Sequence, residues 1–195
     1  IMVVQAKEIC NRRELRKFIY LPEKIHRNHP TWVPPIYVDE WKYFNPKKNK
    51  AFSYCDTTFV LAYKDEKVVG RIMGIINHRY NDSRDEKTAR FAYLESLNNQ
   101  EIAHALLSYI ENWAKQKGMN KIIGPYGFSD QDPEGFLIEG FEYMATIVTY
   151  HNFEYMIRLV ENEGYTKDVD YVVYKMEIPK EIPLFYRKIY ERVSR

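Results

Sequence analysis

One stretch, residues 89–123, restricts the fold of this chain more than any other, because it reads as strand, helix, strand. Residues 89–95 are β-favouring. Asn98 or Asn99 then caps a helix whose apolar residues, Ile102, Ala103, Leu106, Leu107, Ile110, Trp113 and Ala114, recur at helical spacing, and Gly118 stands where a helix-ending glycine belongs. Residues 121–123 form a short apolar strand. Such a crossover is right-handed and leaves its two strands parallel. Ahead of it, residues 57–63, the charged turn Lys64-Asp65-Glu66-Lys67 and residues 68–77 read as a hairpin. The class is therefore α/β in the mixed (α+β) sense, an antiparallel front half with a parallel pair at its centre.

The flanking segments follow the same logic. Residues 2–6 predict a short strand, and Asn11 with Glu14 three positions later predicts a helix cap followed by the face Leu15, Phe18, Ile19 and Leu21. Pro22 is expected to open a separate turn running towards Arg27. Residues 28–46, with Pro30, Pro34, Pro35 and Pro46 among Trp32, Tyr37, Trp41, Tyr43 and Phe44, are expected to be an irregular loop clamped to the body by its aromatics. Residues 81–87 read as a polar loop. Residues 152–163 predict a helix capped by Asn152, and residues 165–178 one or two terminal strands.

Residues 2–178 are thus expected to make one domain. Residues 179–195 form a linker with an amphipathic helix, apolar at Leu184, Phe185, Ile189 and Val193, expected to dock in a homo-oligomer or lead to a second domain.

Composition narrows the partners. With 29 Lys and Arg against 27 Asp and Glu, the net charge of +2 provides no field that favours nucleic acid or an anionic membrane. Cys10 and Cys55 are too few for a disulfide framework, and with no apolar run long enough to span a bilayer the expectation is a cytoplasmic protein. His26, His29, His78 and His104 show no metal-ligand spacing, and Asp130-x-Asp132-x-Glu134-Gly135 departs from a calcium loop at Phe141. No metal is expected. Lys47, Lys48 and Lys50 read as a solvated basic run that could meet a phosphate.

The order of elements resembles the GNAT superfamily of acyl-CoA N-acyltransferases over nearly the whole chain, from the first strand and helices to the helix ending in Glu163-Gly164-Tyr165. Leu-Pro-Glu-Lys-Ile with His-Pro-Thr-Trp-Val-Pro-Pro (residues 21–35) and Gly-Met-Asn-Lys-Ile-Ile-Gly-Pro-Tyr-Gly-Phe-Ser (residues 118–129) are similar to an uncharacterised GNAT-like group. The resemblance implies that the strands 89–95 and 121–123 splay apart to admit the pantetheine of acetyl-CoA or another acyl-CoA. It also implies that Leu94, Leu97, Asn98, Asn99, Gln100 and Ala103 hold the cofactor, its pyrophosphate on the helix N-terminus.

Two positions depart from the family pattern. Glu101 replaces the central glycine of the phosphate loop; facing a phosphate ~4 Å away it would cost roughly 1–4 kcal/mol, more than the ~0.3–1 kcal/mol a first-turn carboxylate contributes. Val160 stands where many members place a thiolate-protonating Tyr, with Tyr155 further back on the same predicted helix.

The site residues follow. Glu95 ends the splayed strand and is the candidate base for an amine, while Ser129 and Asp130 lie towards the acceptor and Tyr155 is the remaining phenol for acid chemistry. Tyr126 and Asp132, with Ser129 and Asp130, make a polar pocket at the carboxyl end of the central strand, and Tyr150 and His151, ahead of the late helix, are further candidates for binding the substrate. The function expected is transfer of an acyl group from CoA or another carrier thioester to an amine of a small molecule. The alternative is a non-catalytic binding or accessory domain that has lost the phosphate loop.

Overall fold

A computed structural model of the chain describes residues 3–146, 149 and 151–194. Five strands, β1 (Gln5–Glu8), β2 (Cys55–Lys64), β3 (Lys67–Asn77), β4 (Thr88–Ser96) and β5 (Lys121–Ile123), lie in sequence order in one sheet. All pairings are antiparallel except β4 with β5. Helix α1 (Arg12–Ile25) covers one face and the long crossover helix packs on the other. Side-chain alternation along the strands divides the core accordingly. Val60, Ile72, Phe91 and Leu94 meet Ile102, Leu106 and Ile110 of the crossover helix, whereas Leu61, Met73 and Ala92 meet Phe18, Ile19 and Phe44 on the α1 side. The β2–β3 hairpin turns on Asp65 and Glu66, both at positive φ (51° and 63°), the two-residue geometry whose twist matches its strands.

Several local expectations need correction. Pro22 does not open a new turn but lies inside α1. Its missing N–H leaves the Phe18 carbonyl without its helical donor, and the buried Arg71 guanidinium supplies one, Nη1 to Phe18 O at 2.8 Å. A contact from 53 residues away thus makes an interior proline tolerable.

Residues 28–46 are not wholly irregular: the helix α2 (Tyr37–Tyr43) fits between the prolines at 34–35 and 46, and its Tyr37 stacks on Tyr20 with ring centres 4.4 Å apart, the aromatic clamp expected there. The stretch after β3 begins as a helix, α3 (His78–Arg84), because Asn77 caps it through Tyr80 N and Asp85 takes the left-handed conformation that ends it. The crossover helix is α4 (Gln100–Gln116), and the late helix is only α5 (Tyr155–Glu161). Asn152 lies ahead of α5 without capping it, since its carboxamide binds Leu137 N at 2.7 Å and Leu137 O at 3.3 Å.

No strand forms over residues 165–178 among the described residues. β-Favouring side chains need cross-strand neighbours to be stable as strand, and here Val172, Tyr174 and Ile178 stay exposed. The final helix α6 (Leu184–Val193) forms as predicted, its apolar residues uncovered.

Candidate active site

The site is built on the second half of β4. β5 pairs with Thr88, Ala89 and Arg90 only, and the last bond on that side runs from Tyr126 N to Phe91 O (2.9 Å). From Ala92 onward β4 has no strand partner on its β5 side among the described residues. The two strands part there, as the resemblance implied.

A bulge aims the carboxylate. β3 advances from Arg71 to Met73 while β4 advances from Glu95 to Ala92, so β4 holds one extra residue, and Tyr93 sits at φ 53°. Phe91 faces α4 and Ala92 faces α1, but Tyr93 also faces α1, and only then does Leu94 return to the α4 core. The extra residue shifts the two-residue alternation by one. Glu95 therefore points to the α1 side rather than into the α4 core.

There it meets histidine. His26, the C-cap of α1, places Nε2 3.1 Å from Glu95 Oε2 and Nδ1 2.9 Å from His29 Nδ1. Glu95 is 6 % exposed and His26 2 %, while His29 is half-buried. The rings are held by stacking: His26 lies between Trp32 (5.0 Å) and Phe153 (4.9 Å), and His29 between Phe153 (4.2 Å) and His151 (4.8 Å).

His151 Nε2 is 2.7 Å from Thr31 Oγ1, whose own proton goes to Phe141 O. The imidazole is therefore the donor in that pair. Burial is the main cause that pushes the His29 and His151 pKa values down; His26 lowers both, and for His29 the nearby Glu95 pulls in the opposite direction.

Tyr155 completes this end of the strand. Its hydroxyl donates to Ser96 O at 2.8 Å, and burial, then the charge of Glu95, pushes its pKa up to about 12. Val160 is buried in the α4 core.

At the start of α4, Asn99 is the cap, its Oδ1 accepting from Glu101 N at 2.8 Å. Both ends of the Gln100 carboxamide are used to tie α4 to α5, through Leu159 O and Asn162 Nδ2. Asn98 accepts from Arg158 Nη2 at 3.2 Å, Leu97 is exposed and Ala103 is fully buried. Glu101 turns outward to Lys64, with Nζ 3.8 Å from Oε2. Two cations, Lys64 and Arg158, thus flank the helix start. A phosphate there would meet an exposed carboxylate already facing a lysine, so the repulsion expected from the sequence is reduced.

The remaining polar residues gather elsewhere. Ser129 and Asp132 line an open groove of about 440 Å³ with Tyr43, Lys42, Lys48 and Lys50. Asp130 is exposed, and Tyr126 lies under the Arg90 guanidinium at 4.1 Å. Tyr43, in ring contact with both Phe128 and Tyr93, stands between this groove and the Glu95 end of β4. Tyr150 lies outside the described residues.

The sequence named Glu95, Tyr155 and His151 separately, and the structure gathers them at one end of β4 with His26 and His29, which the sequence reading did not single out. No local signal pairs His26 with a carboxylate 69 residues away. No cluster of metal-ligating side chains occurs among the described residues, nor is any described helix long and apolar enough to cross a membrane.

A splayed parallel pair, a helix N-terminus beside it and a carboxylate at the open strand end are the features that the resemblance to acyl-CoA N-acyltransferases implied. The acetyltransferase (GNAT) family model matches residues 9–126, and the chain belongs to that family. It is 26 % identical over 172 residues to protein YghO of Escherichia coli (strain K12), covering 88 % of this chain and 44 % of that protein. To the bacterial ceramide synthase of Caulobacter vibrioides it is 26 % identical over 171 residues, 87 % of this chain and 44 % of the relative. The chain spans less than half the length of either. AAC(6')-Iy in complex with the bisubstrate analogue CoA-S-monomethyl-acetylneamine shares the fold, with a TM-score of 0.52 at 12 % identity over 90 % of this chain and 99 % of that one.

Proposed function

We propose that this domain transfers an acyl group from an acyl-CoA to a primary amine, with the Glu95–His26 pair receiving the amine proton. The observation that carries the reading is the buried pair itself, aimed by the Tyr93 bulge at the open end of β4. A thioester lying along the free edge of β4 would have its carbonyl near Leu94 and Glu95 and its phosphates towards Asn98, Asn99 and the flanking cations. The attacking nitrogen must lose its proton to react, and a hydrogen-bonded carboxylate–imidazole pair is suited to accept it. The departing thiolate needs a proton in turn. Tyr155, fixed at Ser96, is the phenol held at this end of the strand.

The relative named as a bacterial ceramide synthase supports a long-chain amino alcohol as the acceptor, and the acyl-CoA donor proposed above is tested with a fatty acyl chain. Incubation with palmitoyl-CoA and sphinganine should give the N-acyl amide and free CoA by mass spectrometry. Palmitoyl-CoA at 100 times its dissociation constant should raise stability by ~2.7 kcal/mol. Binding without turnover over a panel of amines would favour an accessory role, and no binding at millimolar acyl-CoA would end the proposal.

A further inference from the structure

Two imidazole nitrogens 2.9 Å apart share one proton, so the His26–His29 contact has a direction. With Glu95 as a carboxylate, an acceptor only, His26 must present Nε2–H to it. Were His26 in the other tautomer, its Nε2 lone pair would face the carboxylate oxygen, two acceptors at 3.1 Å. With His26 neutral, its Nδ1 is then the acceptor and His29 Nδ1–H the donor. That leaves the lone pair of His29 on Nε2, which has no hydrogen-bond partner among the described residues. His29 is also the half-buried member of the chain, whereas His26 and Glu95 are buried.

We propose that His29 Nε2 is the atom that takes the proton from the acceptor amine, and that His29, His26 and Glu95 act as one relay. The inference rests on the acyl transfer proposed above. In the forward direction the ammonium proton of the acceptor moves to His29 Nε2, and the Nδ1 proton of His29 moves to His26 Nδ1. His29 is then neutral again and His26 is an imidazolium against the Glu95 carboxylate, so the positive charge rests on a buried ion pair. The freed amine attacks the thioester carbonyl: the C–N bond forms, the C–S bond breaks, Tyr155 gives its proton to the thiolate to make the thiol, and the second nitrogen proton restores the phenol. After product release the relay runs backwards and its proton leaves to water from His29 Nε2.

The surroundings suit this task. The groups facing His29 are His26 from α1, His151 from the segment before α5, and Glu95 from β4. Burial and the two histidines hold His29 neutral to a lower pH than an ordinary imidazole, against the opposing pull of Glu95. Stacking on Phe153 and His151 fixes the ring plane, so the lone pair keeps one direction.

Two measurements on the full chain test the relay. In ¹⁵N-histidine-labelled protein, two-dimensional spectra at neutral pH should show His26 protonated at Nε2 and His29 at Nδ1; His29 protonated at Nε2 would overturn the proposal without reference to activity. In kinetics with palmitoyl-CoA and sphinganine, His29→Phe keeps the stack but has no lone pair. It should lower kcat/KM at neutral pH by ~10²-fold or more and abolish the acid limb of the pH profile. His29→Ala should regain activity with added imidazole. If Glu95→Gln is slow while His29→Phe keeps the wild-type rate and acid limb, the relay is wrong and the acyl transfer reading stands. If neither substitution changes turnover, the relay and the Glu95–His26 pair as proton acceptor both fall, while the acyl transfer itself is shown by the turnover.

Discussion

The two halves of β4 differ in nearly every respect although they belong to one strand. Thr88, Ala89 and Arg90 are bonded to β5, and Phe91 is buried against α4. Arg90, though charged, is spent on structure: Nη1 binds the carbonyls of Gly127 and Phe128 at 2.9 and 3.2 Å, and the guanidinium lies over Tyr80 and Tyr126. From Ala92 to Ser96 one edge is open, a bulge interrupts the alternation, and Glu95 is directed to histidine. Where a strand is paired on both edges its polar groups are used up by the fold. Where one edge opens, the backbone has no strand partner among the described residues and the carboxylate turns to histidine.

Substitutions can break this contrast in order of expected size. Phe91→Ala removes a fully buried ring from the paired half and should destabilise by ~3–5 kcal/mol in denaturant unfolding, while the protein that remains folded keeps its kcat. Gly124→Ala strikes the junction: a Cβ there would press on the Phe91 carbonyl oxygen and ring. A loss of ~1–3 kcal/mol is expected as β5 is pushed from β4, and an unchanged melting curve would show that the strands already part before Gly124.

The open half should also make stability sensitive to acid. His29 and His151 have lowered pKa values in the folded state, so on acidification the unfolded chain takes up protons first. Stability should therefore fall as pH drops from the ordinary histidine value to the lowered folded ones, and level off below them. Urea unfolding along a pH series measures this, and His29→Phe should flatten part of the slope. The smallest effect is expected from Glu101→Gly. With Glu101 exposed and facing Lys64, its removal should tighten CoA binding by less than ~10-fold in calorimetry; a larger gain would mean that the carboxylate turns towards the phosphates on binding.

Much of the frame was legible because its signals are local. The stripe from Ile102 to Ala114, the Asn99 cap, Gly118 and the charged hairpin turn all report on residues a few positions apart, and each element stands where it was expected. The failures share a different cause. Pro22 is kept in a helix by Arg71, Asn152 is drawn from capping by Leu137, and Glu95 is turned by a bulge visible only once β3 supplies the register. The site depended most on such contacts. Glu95 could be named from its place at a strand end, but His26 and His29 acquire meaning only when α1 is laid over β4.

The central claim is that the open half of β4 holds a proton acceptor rather than a packing residue. It is tested most directly by measuring kcat/KM for palmitoyl-CoA and sphinganine, together with the melting temperature, in wild type and Glu95→Gln. The account predicts a rate lower by ~10²–10⁴-fold with a melting temperature shifted by no more than a few degrees. An unchanged rate, or a rate that falls only as far as the folded fraction does, would contradict it.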